Sequence, residues 1–279
     1  MSANGNFQFD EIGRWSELKL EIVEKYGTAY TTAFSGLKGR KLVKFYIDAF
    51  SGAGVHLSKD TRQQIEGSPA RALNVRPPFD HFYFIDMNAE KTAYLRNLCQ
   101  NRHDVDIITS DATIYLTQKL LPTIQFEKYN RALCLLDPYG LHLDWEVMRQ
   151  AGQSRAIDMF LNFPVMDMNR NAIWRNSQRA PQSGIERMTR FWGDETWKET
   201  AYADSAQYEF FSAPNRVKQD NDAIVAAFRE RLKKVAGFNF VPEPLPMKNR
   251  NNAVVYYLFL ASPKPVAEKI IEGIFAKYR

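Results

Sequence analysis

Four carboxylates and two glycine turns stand at the ends of apolar runs, where an alternating β/α chain presents its ligand-binding groups. The run Phe45-Tyr-Ile-Asp-Ala-Phe-Ser-Gly-Ala-Gly54 ends in Asp48 and a turn through Gly52 and Gly54. Glycine at such a place lets a strand turn tightly and lets a ligand approach the backbone. The run 81–86 ends in Asp86, placed to accept the two hydroxyls of a ribose, and Thr109-Ser-Asp-Ala112 places Asp111 to read an adenine amine. A second segment, Ala132-Leu-Cys-Leu-Leu-Asp-Pro-Tyr-Gly140, repeats the order of apolar strand, acid and glycine. Together these segments read as a nucleotide-cofactor turn facing a catalytic loop. Each has a plainer reading when taken singly: a strand-to-helix turn, a helix-capping or solvated acid, or a turn with proline at its second position. Acids in register at three successive strand ends favour the cofactor site.

The elements that must position these residues follow from periodicity. Apolar residues Ile12, Trp15, Leu18, Ile22, Val23 and Tyr26 fall at helical spacing within 9–34, ahead of a basic loop over 38–44. Strands are predicted over 42–49, 81–86, 105–109, 131–136 and 156–163, with helices over 88–101, 112–120 and 143–151 between them. The stretch 55–66 reads as polar and irregular. Gly67-Ser-Pro69 then starts a short helix, with Ser68 as N-cap and Pro69 in the first helical position. This alternation requires parallel strands with right-handed crossovers. It sets the first and fourth strands side by side, with both C-terminal ends on one crevice. The segment 164–214 breaks the pattern and carries no clear strand. A helix over 217–235, an extended segment 238–247, a strand over 254–261 and a helix over 265–278 finish the chain. Pro242, Pro244 and Pro246 confine the extended segment to a sheet edge. The division expected is an N-terminal helical extension (1–40), an α/β domain (41–164 and 215–279) and a helical insertion (165–214).

Bulk properties narrow the partners. With 45% hydrophobic and 25% charged residues in 279, the chain buries a substantial core and is not disordered. No apolar run reaches the roughly eighteen residues that span a bilayer, and the first residues lack a secretory pattern, so a soluble, cytoplasmic protein is expected. Cys99 and Cys134 have no metal-ligand spacing and read as buried and inert, and no metal site is expected. The net charge of +5 suits a polyanion. Within 169–193, Arg170, Arg175, Arg179, Arg187 and Arg190 face one acid, Glu186, and alternate with Trp174, Phe191 and Trp192. Arginines for phosphates and aromatics for bases make a nucleic-acid surface, with Arg170, Trp174, Arg175 and Arg179 as its contacts. The competing reading is a helical cap whose tryptophans, with Trp197, are core. Asp194, Glu195, Glu199, Asp204 and Glu209 reverse the charge directly afterwards. His56 and His142 read as solvent-facing.

The register of Asp48 with Phe50, Ser51, Gly52, Ala53 and Gly54, then Asp86, then Asp111 with Ala112, resembles class I S-adenosylmethionine-dependent methyltransferases. The resemblance implies a Rossmann-like, mostly parallel sheet with one antiparallel strand from a C-terminal hairpin, an N-terminal helix and an inserted helical subdomain. It implies S-adenosylmethionine as cofactor, its methionine part at the first turn, its ribose at Asp86 and its adenine at Asp111. A nicotinamide dehydrogenase calls for a third glycine, where this chain reads Val-His-Leu after Gly54. Asp137-Pro-Tyr-Gly140 is similar to the Asp/Asn-Pro-Pro-aromatic loop of amino-group methyltransferases and to the Asp-Pro-Phe-Gly loop of tRNA guanine-N2 methyltransferases. That likeness implies Asp137 and the Pro138 carbonyl accepting from an exocyclic amine, Tyr139 stacking on the base and Gly140 closing the loop.

Extending over nearly the whole chain, the order Trp15…Lys19…Tyr26, Tyr46 to Gly54, Gly67-Ser-Pro69, Asp137 to Gly140 and Asn162-Phe-Pro164 resembles the three-Cys-motif partner (TcmP) family. Membership implies a methyltransferase-like protein working with a radical-SAM-like protein that carries the three cysteines. Ser51 stands where that family more often has alanine. The function expected is methyl transfer to an exocyclic amine of a nucleobase in RNA or DNA. The alternatives are a non-catalytic partner scaffold and a methyltransferase of small molecules or proteins.

Overall fold

Strands 130–136 and 157–163 are apolar almost throughout, the pattern of strands covered on both faces, so they belong in the middle of a parallel sheet. The computed structural model describes residues 8–35, 42–204 and 216–279. Its elements are β1 (Glu11–Ile12), α1 (Arg14–Ser35), β2 (Val43–Asp48), β3 (Val55–Ser58), β4 (Gln64–Glu66), α2 (Ser68–Asn74), β5 (His81–Asp86), α3 (Ala89–Leu98) and β6 (Val105–Thr109). There follow α4 (Ala112–Tyr115), which runs into a π-helical turn, then β7 (Asn130–Leu136), α5 (Trp145–Gln153), β8 (Ile157–Phe163), α6 (Val165–Asn171) and α7 (Gln182–Trp192). The last are α8 (Trp197–Ala201), β9 (Tyr202–Asp204), β10 (Arg216–Lys218), α9 (Asn221–Lys234), β11 (Leu245–Lys248), β12 (Val254–Ala261) and α10 (Pro265–Phe275).

The main sheet has seven strands in the order β11-β12-β8-β7-β2-β5-β6. Only β12 runs against the rest, paired antiparallel to both β8 and β11. This is the Rossmann-like sheet expected from the sequence, closed by a C-terminal hairpin. Because the chain leaves β2 toward β5 and β6 and returns on the other side at β7, the order reverses between β2 and β7. Register sets Asp48 opposite both Phe84 and Leu135, and Asp86 opposite Thr109, so the acids end neighbouring strands. The crevice at such a reversal, beyond the C-terminal strand ends, is where open α/β sheets take ligands.

Alternating strand residues feed two apolar layers. Ile47, Cys134, Leu136 and Phe163 face one side with Met148, Phe191, Trp192 and Phe228. Tyr46, Leu133, Phe160 and Leu258 face the other with Tyr26, Phe82, Phe84 and Phe275. On that second face α1 is locked by Tyr26, whose hydroxyl donates to Asp158 at 2.5 Å, while Ser262 donates to the other Asp158 oxygen at 2.7 Å.

Several expectations are corrected. The stretch 55–66 is not irregular: β3 and β4 form a hairpin, and β1 adds to it in parallel, with Val55 and Leu57 of β3 and Ile65 of β4 set among polar neighbours. Gly67 rather than Ser68 is the N-cap of α2, and Ser68 is buried in its first turn. The segment after 164 does contain a strand, β9, which pairs with β10; residues 205–215 lie outside the described residues. Strand β10 takes residues expected to begin the last long helix, which instead starts under the Asp220 cap. Only Leu245–Lys248 of the extended segment is a strand. The basic loop 38–44 is described only from residue 42.

Candidate functional site

The turn after β2 is held from both sides. Ala49 N–H donates to Leu135 O at 3.1 Å, and Ser51 N–H donates to Ile85 O at 2.9 Å. Gly52 and Gly54 have φ of +59° and +77°, and a Cβ on Gly54 would come 2.8 Å from Leu95 Cδ1. Ser51 and Ala53 are buried, and Phe50 is half-buried. Gly52 N–H donates to Asp86 Oδ2 at 2.9 Å and Asn88 N–H to Asp86 Oδ1 at 2.8 Å, so Asp86 shapes the turn as well as ending its strand. Asp111 caps α4, accepting from Ile114 N–H at 2.9 Å, with Ala112 buried behind it.

Asp48 is fully buried. Its Oδ1 accepts from Phe50 N–H at 3.2 Å, whereas Oδ2 has no hydrogen-bond partner among the described residues. Burial pushes its carboxyl up to about 7 and Asp137 adds to the rise, while Ser68, the Phe50 N–H and Lys19 favour the charged form. Ser51 Oγ is likewise buried and partnerless. Buried polar atoms are seldom left unpaired, so partnerless groups around a glycine turn mark where a polar ligand completes the site. The expectation of a solvent-facing His56 fails, because β3 carries its ring beside the turn. His56 Nδ1 is buried without a partner, and burial holds its pKa below the ordinary value. Asp10 reaches the same place, taking Leu57 N–H on its carbonyl at 3.0 Å and Lys91 on its carboxylate at 2.6 Å.

The loop after β7 lies next to this turn. Both Asp137 oxygens are engaged: Lys19 from α1 pairs with Oδ2, and Asn162 Nδ2 from β8 donates to Oδ1. Lys19 is 5% exposed and Asn162 4%. The Asn162 Oδ1 end is buried and has no partner among the described residues. Gly140 has φ of +62°, and a Cβ there would lie 2.6 Å from Asp167 Oδ2. Asp167 also takes Leu141 N–H at 3.1 Å and the Asn171 amide at 2.7 Å, so α6 clamps the loop. Pro138 is buried, and Tyr139 stands 91% exposed at the rim.

The basic segment divides. Trp192 and Trp197 are core, each 2% exposed, as the competing cap reading expects. Trp174 is 36% exposed and donates from Nε1 to Arg170 O at 2.7 Å. Arg170, Arg175 and Arg179 are exposed and have no ion-pair partner among the described residues. Arg187 and His142 meet at 3.2 Å on the same side. The structure thus brings Asp48, the glycine turn, Asp86, Asp137, Lys19 and Asn162 to one set of strand ends, with α6 starting directly behind. Lys19 and Asn162 stood in the motif strings without a role, since a helix lysine and a strand asparagine carry no local signal. Asp167 and His56 were missed for the same reason.

Among the described residues, no helix is long and apolar enough to cross a membrane. No family model and no curated protein matches the chain. Solved structures do match. A Legionella pneumophila protein of the DUF519 family is 14% identical, with TM-score 0.54 over 93% of this chain and 91% of that one. The carbon methyltransferase CurJ is 12% identical, with TM-score 0.42 over 88% of this chain and 55% of that one. The N-methyltransferase NodS from Bradyrhizobium japonicum is 8% identical, with TM-score 0.40 over 90% of this chain and 97% of that one.

Proposed function

We propose that the chain is an S-adenosylmethionine-dependent methyltransferase that acts on an exocyclic amine of a nucleobase in RNA or DNA. The observation that carries this is the set of buried, partnerless polar atoms, Asp48 Oδ2, Ser51 Oγ and Asn162 Oδ1, at the ends of strands that meet at the order reversal. They flank a turn whose positive φ angles leave room for a ligand against backbone. The donor set fits the cofactor: the free Asp48 oxygen suits its ammonium group, Ser51 its carboxylate, Asp86 its ribose, and Asp111 with Ala112 its adenine. When bound, S-adenosylmethionine would supply an electrophilic methyl whose S–C electron pair stays on sulfur as the acceptor nitrogen's lone pair forms the N–C bond, and the proton that nitrogen sheds would pass to water.

The protein then has to align and desolvate the acceptor, which is most of the catalysis for so strong an electrophile. The loop Asp137-Pro138-Tyr139-Gly140 borders the acceptor, with the Pro138 carbonyl as an acceptor for its N–H and the Tyr139 ring as a stacking surface. Arg170, Trp174, Arg175 and Arg179 would hold the surrounding phosphates and bases. Calorimetry with S-adenosylhomocysteine, with mass spectrometry of nucleosides from cells with and without the protein, tests both halves of the proposal. No binding removes the cofactor, and an unchanged nucleoside profile removes the nucleic-acid substrate.

A second reading is favoured by one contact. Lys19 occupies Asp137, as a chain that keeps the fold only to bind a partner would tolerate. Under this reading the chain is the non-catalytic companion of a three-cysteine radical-SAM-like protein. Of the α1 residues in the TcmP-like string, Lys19 reaches Asp137 and Tyr26 reaches Asp158. S-adenosylhomocysteine binding with no transfer to RNA, DNA, protein or small amines favours this companion role.

A further inference from the structure

We infer that Asn162 Oδ1 receives an N–H of the amino group that is methylated, and that Lys19 and Asp137 are positioning residues that fix the Asn162 amide for this purpose. The inference rests on the methyltransferase reading and deepens it. Asn162 ends β8, paired in register with Leu258 on one side and lying beside the end of β7 on the other, so its side chain belongs to the same strand ends as Asp137.

An asparagine amide presents a donor at one end and an acceptor at the other, and which end faces a cavity decides what it recognises. Here the neighbours decide it. Lys19, 5% exposed, donates from Nζ to one Asp137 oxygen. The other Asp137 oxygen therefore demands a donor, and Asn162 Nδ2 supplies it. Turning the amide over would set two acceptors against each other with no proton between them. The carbonyl end is left as the buried acceptor without a partner.

The pair is buried on the Lys19 side and one-third exposed at Asp137, and an ion pair that takes a charge out of water is poor evidence for stability. Its use here is directional. With Asp137 engaged on both oxygens, the side-chain acceptor left for substrate, beside the Pro138 carbonyl, is a neutral amide oxygen. Such a group takes the N–H of an aromatic amine and repels a keto oxygen in the same place. The site thus selects bases that carry an exocyclic amine over those that present carbonyls, with Tyr139 at the rim to stack on the chosen ring.

Three measurements test this. In the free protein labelled with 15N, one Asn162 side-chain amide proton should lie downfield and exchange slowly. Asp137→Ala and Lys19→Met should abolish that protection, and Lys19→Arg should restore it. Asn162→Leu should bind S-adenosylhomocysteine within about twofold of the parent, yet transfer methyl from labelled S-adenosylmethionine into bulk RNA or DNA about tenfold more slowly or worse, with the loss in kcat rather than KM. Should Asn162→Leu not fold, Asn162→Gln, which keeps the amide but displaces it, carries the same expectation. Parental turnover in these variants, or Asn162 protons that exchange like an exposed amide, overturns the assignment. Failure of the parent to bind S-adenosylhomocysteine overturns the methyltransferase reading itself, and the role of Asn162 with it.

Discussion

Asp48 shows how a single residue couples burial to ligand chemistry. Its carboxyl, raised to about 7 by burial, is largely protonated in the free protein below that pH. A cationic ammonium at Oδ2 needs the ionised form, so binding must drive off a proton when pH is low. Affinity for S-adenosylhomocysteine should then fall about tenfold per pH unit below about 7 and level off above it, since one unit of pKa shift is about 1.4 kcal/mol. Asp48→Asn should bind weakly and with no such slope. Calorimetry in buffers of different ionisation enthalpy reads both the slope and the released proton, and a flat profile for the parent removes Asp48 from the site. At Gly140 the constraint is steric. Alanine at φ of +62°, with its Cβ 2.6 Å from Asp167 Oδ2, should cost about 1–3 kcal/mol in denaturant unfolding, and more in methyl transfer under the proposed function because the loop after β7 moves. An unchanged unfolding midpoint would show that the Asp167 clamp yields freely.

Among the elements, α1 has the most to explain, since it supplies both Lys19 to the site and Tyr26 to the opposite end of β8. Asp158 is buried and its carboxyl is raised to about 6 by burial, with the Tyr26 and Ser262 hydroxyls opposing the rise. A folded pKa above the unfolded value of 3.8 means that the native state holds the extra proton, so this group lowers stability as pH climbs from about 4 to about 6. Tyr26→Phe removes a donor that favours the ionised form. The variant should lose about 1–3 kcal/mol at pH 8 and less near pH 4, as urea titrations at the two pH values would show. An equal loss at both would mean that the hydroxyl does not serve the charged carboxylate. Because α1 packs on α2 and α10, the loss should also loosen the helix that holds Lys19.

For the molecule as a whole, charge distribution matters more than the net +5. Arg170, Arg175 and Arg179 are all exposed in the segment that follows β8, while the acids that follow lie further along the chain. Replacing Arg175 and Arg179 by alanine should weaken binding of RNA or DNA by a similar factor for every sequence. It should also lower the slope of log affinity against log salt by about two, one for each phosphate no longer neutralised. Tyr139→Ala should spare that affinity and reduce methyl transfer, since a stacked ring contributes about 1–3 kcal/mol at one base. Gel-shift titrations at two salt concentrations separate the two, and a parental slope in the arginine variant favours a protein partner on this face.

The sequence alone determined the sheet, because period-two and continuous apolar runs separated by helical spacing admit few arrangements other than parallel strands with right-handed crossovers. It also determined the terminal hairpin, through prolines that only an edge strand accepts, and the strand-end positions of Asp48, Asp86, Asp111 and Asp137. What it could not reach was whatever depends on partners distant in the chain. The hairpin of β3 and β4 forms because β1, far before it, supplies the third strand, and no local window contains both. That Lys19 and Asn162 seize the two oxygens of Asp137, that Asp167 fills the space beside Gly140, and that Trp192 and Trp197 turn inward while Trp174 stays out are all consequences of packing. Side-chain direction at a strand end is set by the neighbouring strands and by the helix laid over them, and those neighbours are assigned only once the chain has folded.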